Sequence, residues 1–334
     1  MTDDLISSEI PYATLTPDHV LDAIESLGYQ CDGRVLALNS YENRVYQIGL
    51  EDHSPIVAKF YRPGRWALDT ILEEHDFAAE LVEFDIPVVK PIEKNQTTLF
   101  NFEEFQFSIY DRKLGHAPEL DQFSHLKQLG RLLARLHAVG SRYRFVHRHT
   151  LSSQLLGFDA KEVILKQNLL PNYLQESYEN LSTNLLQLIE NQFSLFDNLP
   201  FFRIHGDFHL GNVLTRDNIF WIVDLDDCCN GPAIQDLWML LSGEKHEREA
   251  QLSELVNGYN EFYDFDQSQL ALVESLRTLR ILNYAAWLSR RWNDPAFQMN
   301  FPWFNTPRYW EEHIQSLQEQ LYVLQNGEEI LQLH

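Results

Sequence analysis

The sequence predicts an α+β protein in two parts: a small β-rich lobe over residues 1–110 and a larger helical lobe over residues 111–334, joined near residues 108–115. Three observations predict it. Short runs of β-branched and aromatic residues fill residues 34–61 and 98–110. Leucines at helical spacing dominate after about Gly115. One island of short β runs, between Phe201 and Asp227, interrupts the helical part. A chain of 334 residues is long enough for two such parts, and a cleft between them is a natural ligand site.

The elements come in this order. Thr16-Pro17, then Val20, Leu21, Ile24 and Leu27, then Gly28, reads as a helix with Thr16 as N-cap, Pro17 in its first turn and Gly28 as its stop. Val35–Leu38, Arg44–Ile48 and Ile56–Tyr61 read as strands, closed by Pro63-Gly64. Asp69 opens a helix in which Ile71, Leu72, Phe77, Ala78, Leu81 and Val82 recur at near-helical spacing. Strand-like sequence returns from Thr98 to Tyr110. Phe123–His137, and Asn168–Phe196 after Pro171, are leucine-rich helices. Phe202–Ile204, Asn212–Leu214 and Ile219–Asp224 form the β island, and helical patterns resume at Ile234. There is no internal repeat and no low-complexity segment.

Lys and Arg number 26 against 49 Asp and Glu, a formal net charge of −23. Such a surface repels nucleic acid and anionic membranes, so neither is an expected partner. Any anionic ligand must meet local positive charge or a metal ion. Cys31, Cys228 and Cys229 form no Cys-x-x-Cys pair and suggest no disulfide framework. The first nine residues carry acids and no base, unlike a secretory signal, and no run of about 18 apolar residues occurs. A monomeric cytoplasmic protein is expected.

The strongest local signal is His205-Gly206-Asp207-Phe208-His209-Leu210-Gly211-Asn212, with Asp224 further on at the end of an apolar strand. Phosphoryl transfer to a hydroxyl needs one carboxylate to orient the hydroxyl and accept its proton. It also needs an amide oxygen and a second carboxylate to hold Mg²⁺ against the transferred phosphate. Asp207 and Asn212 have the Asp-x-x-x-x-Asn spacing of a kinase catalytic loop, and Asp224 stands where the kinase metal-binding aspartate stands. An Asp and an Asn around Gly211 also suit an ordinary turn. His205 and His209 lack the acid of His-Glu-x-x-His and are interrupted by glycines, so a packed, hydrogen-bonded His205 is expected rather than zinc.

Lys59 lies in the strand Ile56–Tyr61, ahead of the helix carrying Glu73 and Glu74. A strand Lys paired with a helix Glu holds the α/β-phosphates in kinases. Glu74 is preferred to Glu73 because Phe77 and Leu81 follow it at i+3 and i+7. The 14 glycines include neither Gly-x-Gly-x-x-Gly nor Gly-x-x-x-x-Gly-Lys, which excludes a P-loop nucleotide hydrolase. The turn Asn39–Arg44 would cover phosphates with backbone N–H groups and the Ser40 hydroxyl, or be a polar hairpin turn.

The runs Leu38–Tyr46, Val57–Pro63 around Lys59, His205–Asn212 and Val223–Asp227 resemble the aminoglycoside/choline phosphotransferase-like kinases. Within that superfamily they are similar to the YihE-type stress response protein kinases. Asn230–Ala233 with Gln235–Leu241, and Trp287–Trp292 through Asp294–Phe297 to Asn300–Trp303, continue the match over about residues 12–320. The resemblance implies a two-lobed protein-kinase-like fold. It also implies ATP- and Mg²⁺-dependent phosphorylation of Ser or Thr in proteins, with autophosphorylation and a role in surviving stress. Carried over residue by residue, it makes Asp207 the proton acceptor and Asn212 and Asp224 the Mg²⁺ ligands. Ser40 would contact ATP, Lys59 would hold its phosphates, and Asp236 would brace the catalytic loop. A kinase for a small amino alcohol, sugar or antibiotic is the alternative. A non-catalytic nucleotide-binding scaffold is a second, against which the intact Lys59, Asp207, Asn212 and Asp224 speak.

Some features depart from the eukaryotic protein-kinase pattern. Gly206 stands where an arginine would be, Leu225-Asp226 replaces Phe-Gly after the metal aspartate, and Ala117-Pro118-Glu119 precedes Asp207, so no activation segment is expected. Asp226 and Asp227 would form an acidic floor for a second metal or a cationic acceptor, or be solvated turn carboxylates. Cys228-Cys229, beside three aspartates, are expected to be inert thiols. Trp287 is expected to be structural. Arg290 and Arg291, near Trp292, Trp303 and Phe304, either bind the acceptor or pair with acids. Ile109 and Tyr110 are expected, from position alone, to line the adenine pocket.

Overall fold

Thr16 starts helix α1 (Pro17–Ser26): its hydroxyl accepts a hydrogen bond from the His19 backbone N–H, Pro17 opens the first turn, and Gly28 at φ +82° ends the run after Leu27. The computed structural model describes residues 11–119, 123–196, 199–327 and 329–333. The remaining helices are α2 (Leu68–Glu83), α3 (Phe123–Gly140), α4 (Asp159–Lys166), α5 (Asn172–Ser194), α6 (Ile234–Trp238), α7 (Lys245–Tyr259), α8 (Val273–Arg291), α9 (Pro295–Asn300) and α10 (Pro307–Asn326). The strands are β1 (Cys31–Ala37), β2 (Arg44–Leu50), β3 (Ile56–Phe60), β4 (Phe100–Phe102), β5 (Phe105–Asp111), β6 (Phe202–Ile204), β7 (Val213–Arg216), β8 (Ile219–Ile222) and β9 (Cys229–Gly231). A small antiparallel sheet in the N-terminal part and a helical C-terminal part make this an α+β fold.

Contacts divide the chain into two compact units, and the division is not one cut near residue 110. The first unit runs through Ala79 and adds Val89–Lys113 and Trp292–Phe301, while the second holds Glu80–Val88, Leu114–Arg291 and the chain from Pro302 onward. Trp292–Phe301 lies late in the sequence, but Asp294 pairs with Arg62 and the Phe301 ring packs on Tyr41, so it belongs to the first unit.

The first unit is a five-stranded antiparallel sheet in the order β1-β2-β3-β5-β4. Alternation along β3 and β5 sends Ala58, Phe60, Phe107 and Ile109 to one face, where they join Ile48 and the α1 residues Val20, Ala23 and Ile24 in a core. Lys59 and its cross-strand partners Val45 and Ser108 face the other way, in the middle of the sheet. Ile109 is therefore a core residue rather than a pocket residue.

The second unit packs helices around two short two-stranded sheets, β6 with β9 and β7 with β8. Three-residue β9 is too short for an alternation to register in sequence. It exists because Phe202, Arg203 and Ile204 pair with Gly231, Asn230 and Cys229. Helices α3 and α7 approach until their backbones touch: a Cβ on Gly130 would lie 2.0 Å from the Leu255 carbonyl oxygen, and one on Gly258 2.0 Å from that of Lys127. Between α5 and α10, the His313 ring stacks on Tyr178 and Tyr309 with centroids 5.9 Å away in each case. Burial there lowers its imidazole to about 4.

This packing has measurable consequences. Gly130→Ala, which in an open helix would stabilise by about 0.5–1 kcal/mol, here destabilises by about 1–3 kcal/mol in urea unfolding, because the methyl group overlaps a carbonyl. His313 is neutral in the folded chain and protonates readily only when unfolded. Stability therefore falls as pH drops from about 6.5 towards 4, by up to about 1.4 kcal/mol per pH unit, and His313→Phe flattens that slope in pH-dependent unfolding.

Candidate active site

Strand β6 delivers the chain to His205, and one buried carboxylate fixes the loop beyond it. Asp236, in the first turn of α6 and 0 % exposed, accepts the His205 N–H on Oδ2 and the Gly206 N–H on Oδ1, both at 2.8 Å. His137 of α3 donates from Nε2 to Oδ2 at 3.0 Å, and its Nδ1 accepts from the Tyr259 hydroxyl at 2.8 Å. Gly206 sits at φ +84°, and a Cβ there would lie 2.3 Å from the Asp227 carbonyl oxygen, so the turn admits only glycine.

His205 is the packed histidine expected of it, and it joins two parts of the site. Its Nδ1 accepts the Asp207 N–H at 3.3 Å, so Nε2 carries the proton and donates to the Val223 carbonyl at 3.1 Å. The Asn212 carbonyl accepts the Val223 N–H at 3.0 Å, and the Asn212 side-chain nitrogen donates to the Asp207 carbonyl at 3.0 Å. Asn212 thus spends its side-chain nitrogen on the loop, and its amide oxygen is the atom that could hold a cation. Asp224 comes directly after Val223, exposed, in the left-handed region at φ 58°. Asp207, Asn212 and Asp224 are brought onto one hydrogen-bonded scaffold. A hard amide oxygen and a carboxylate suit a small divalent cation such as Mg²⁺, which binds through one or two protein oxygens and its substrate's phosphates.

Both oxygens of Asp207 are engaged. Oδ1 accepts from Arg280 Nη1 of α8 at 2.7 Å, and Oδ2 lies 3.3 Å from His209 Nε2. His209 Nδ1 accepts the Gly211 N–H, which leaves the proton on Nε2. Burial pushes the Asp207 carboxyl up, but the His209 hydrogen bond and the Arg280 charge together outweigh it and hold the group well below the usual carboxylate range.

In the first unit, Lys59 Nζ lies 3.6 Å from Glu74 Oε1, with both side chains under a tenth exposed. Glu74 is the helix partner of the lysine, as its place on the inward stripe of α2 predicts. Lys59 also sits over the Tyr61 ring at 5.1 Å. Tyr61 in turn bonds His75 Nε2 at 2.8 Å and lies 3.3 Å from the Tyr110 hydroxyl.

The turn carrying Ser40 is braced instead of being glycine-rich. Asn43 Oδ1 accepts the Arg62 N–H at 3.1 Å, and Arg62 Nε donates to the Glu42 carbonyl at 3.1 Å. Arg62 Nη2 reaches Asp294 Oδ2 at 2.7 Å with both side chains buried, while Asp294 Oδ1 caps α9 through the Ala296 N–H. Ser40, Tyr41, Arg44 and Tyr46 line a cleft of about 200 Å³ with Phe297 and Asn300.

The expectation for Asp226 changes here, while the cysteines are placed as expected. Asp226 is 3 % exposed and its carbonyl is held by the buried Arg148, so it forms no open acidic floor, while Asp227 is half-buried. Cys228 and Cys229 are buried, and burial above all pushes the Cys229 thiol up, as suits an unreactive group. Trp287 is half-buried against Tyr284 at 5.7 Å, and Arg290 is exposed. Arg280, Arg148 and His137 belong to no motif read from the sequence, Arg62 lies in the run Val57–Pro63 with no role read for it there, and each meets its partner from at least 19 residues away. Asp294-Pro295 is readable as a helix cap, but its ion pair with Arg62 is not.

A strand lysine paired with a helix glutamate, and a His-Gly-Asp loop carrying an asparagine five residues on with an aspartate after the next hairpin, define a kinase-like phosphotransferase. Residues 34–273 match the family described as the phosphotransferase enzyme family, and the chain belongs to it. It is 41% identical over 319 residues to stress response kinase A of Escherichia coli O157:H7, covering 96% of each chain. It is 39% identical over 313 residues to the serine/threonine protein kinase RdoA of Salmonella typhimurium, covering 94% of each. Among solved structures, an amicoumacin kinase with AMP-PNP, Ca²⁺ and Ami superposes with a TM-score of 0.72 at 18% identity over 95% of each chain. A spectinomycin phosphotransferase superposes with a TM-score of 0.64 at 15% identity, over 92% of this chain and 98% of that one. Both share the fold. No helix among the described residues is long and apolar enough to cross a membrane.

Asp294→Ala removes one of two carboxylates on the buried Arg62 guanidinium, Glu42 Oε1 remaining 3.0 Å from Nε, together with the cap of α9. It is expected to destabilise the chain by about 1–3 kcal/mol in urea unfolding, more than loss of a surface ion pair.

Proposed function

We propose that this phosphotransferase is an ATP- and Mg²⁺-dependent kinase that phosphorylates Ser and Thr hydroxyls of proteins, itself included, as part of a stress response. The observation that carries the kinase chemistry is the bonding of Asp207, Asn212 and the strand before Asp224 into one scaffold through His205 and Val223. The protein acceptor and the stress role rest on the names of relatives near 40% identity, stress response kinase A and serine/threonine protein kinase RdoA.

In this reading Asp207 orients the acceptor hydroxyl and takes its proton. Its low proton affinity suits a transition state in which the hydroxyl is positioned early and deprotonated late. Asn212 and Asp224 would hold Mg²⁺, which supplies charge neutralisation at the phosphate oxygens. Lys59, oriented by Glu74, anchors the phosphates of ATP, and the braced turn presents Ser40 and backbone N–H groups to them. A kinase for a small hydroxyl compound is the second reading, since structures named as amicoumacin and aminopropanol kinases share the fold.

The test is incubation of the purified chain with labelled ATP and Mg²⁺, with and without a generic Ser/Thr-containing protein. Label is expected on protein Ser or Thr, and Asp207→Ala or Asp224→Ala should cut transfer by at least about a thousandfold while the unfolding midpoint stays within a few degrees. Transfer only to small hydroxyl compounds would replace the protein-kinase reading. ATP binding with no transfer to any acceptor would leave a nucleotide-binding scaffold.

A further inference from the structure

Helix α8 places one cation directly on the catalytic carboxylate. Arg280 Nη1 donates to Asp207 Oδ1 at 2.7 Å, yet the arginine side chain is 47% exposed. Its other partner among the described residues is Met239 Sδ, 3.7 Å from the same nitrogen. Nε and Nη2 therefore remain for a ligand, in a fork matched to a carboxylate. An ion pair this exposed contributes little to stability, so folding alone does not require it.

Position gives the arginine a different use. An acceptor hydroxyl that hydrogen-bonds Asp207 must arrive beside the guanidinium. A positively charged acceptor meets repulsion there, and a negatively charged one meets a partner. The acid that would reverse this field, Asp226, is buried with its carbonyl tied to Arg148, and the exposed Asp224 is committed to the metal in the kinase reading. The same face of α8 continues with Tyr284 and Trp287, four and seven residues on, their rings stacked at 5.7 Å.

We propose that Arg280 is the acceptor-selecting residue: the chain phosphorylates hydroxyls that lie next to a carboxylate, such as a Ser or Thr flanked by Asp or Glu, and Arg280 pairs with that carboxylate. This rests on the kinase reading above. The acceptor's carboxylate takes Nε and Nη2, Nη1 stays on Asp207 Oδ1, and the acceptor hydroxyl is thereby brought within hydrogen-bond range of the Asp207 carboxylate. The hydroxyl oxygen then bonds the γ-phosphorus of ATP, the bridge to the β-phosphate breaks, ADP leaves, and the hydroxyl proton goes to Asp207.

The experiment uses three peptides with one Ser flanked by Glu, Ala or Lys, and two small acceptors, a hydroxy acid and an amino alcohol. Each is assayed with the wild-type chain, Arg280→Lys and Arg280→Glu. The wild type is expected to favour the Glu-flanked over the Lys-flanked peptide by at least about tenfold in kcat/KM, mostly through the acceptor KM. Arg280→Lys keeps the order, Arg280→Glu reverses it, and the KM for ATP stays within about twofold in both. Equal use of the Glu and Lys peptides, or an order unchanged in Arg280→Glu, overturns the assignment and leaves the protein-kinase reading standing. If only small acceptors are labelled, the protein-kinase reading fails. A preference for the hydroxy acid that Arg280→Glu reverses still supports Arg280, and a preference for the amino alcohol overturns it. No transfer to any acceptor overturns both.

Discussion

The Asp236 carboxylate is the constraint on which the loop from His205 to Asn212 depends. Two backbone N–H groups, from His205 and Gly206, and the His137 ring converge on it in a place with no solvent. A loop that turns through φ +84° at Gly206 has no helix or sheet ladder to satisfy those donors. Asp236 supplies the acceptors, α3 supplies the histidine that holds Asp236, and α7 the tyrosine that holds that histidine. From that anchor His205 reaches Val223, Val223 reaches Asn212, and Asp207 and Asp224 emerge at the surface with fixed backbones. The flexible part of the Asp207 and Asp224 side chains is reduced to their last torsions, which is what the proposed catalysis by positioning requires.

Charge is distributed against the grain of the composition. In a chain of net charge −23, the cations that matter are few and individually placed. Lys59 is oriented by Glu74, Arg62 is buried against Asp294 and the Glu42 carbonyl, and Arg148 holds the carbonyls of Asp226 and Cys228. Each of these desolvated cations has a partner, as burial demands. Arg280 is the half-exposed one, paired with the Asp207 carboxylate.

The turn over which phosphates would lie shows a second solution to a familiar problem. A glycine-rich loop lets backbone N–H groups approach phosphate by removing side chains. Here Asn39–Arg44 has no glycine and is held from behind by Arg62 and Asn43, with Asp294 arriving from near the other end of the chain. Conformational freedom is exchanged for a buried, hydrogen-bonded ion pair, which limits the conformations the turn can adopt.

The order Lys59, Glu74, Asp207, Asn212, Asp224 could be read from the chain because each lies in a local pattern: a strand alternation, an amphipathic stripe, a fixed spacing in one loop. Helix α1 could be read for the same reason, since capping by Thr16 and termination at Gly28 are interactions within a few residues. Strand β9, the place of Trp292–Phe301 in the first unit, the burial of Asp226 and the pairing of Arg280 with Asp207 could not. Each depends on a partner far away in sequence, and spacing carries no information about which distant side chain will be brought into hydrogen-bond range. The sequence by itself determined the element types and the chemical groups of the site, which arise from local periodicity and backbone preference. Only the tertiary structure decided which of those groups are buried, which cation sits on the Asp207 carboxylate, and which segment braces the turn, because desolvation and ion pairing act through space and not along the chain.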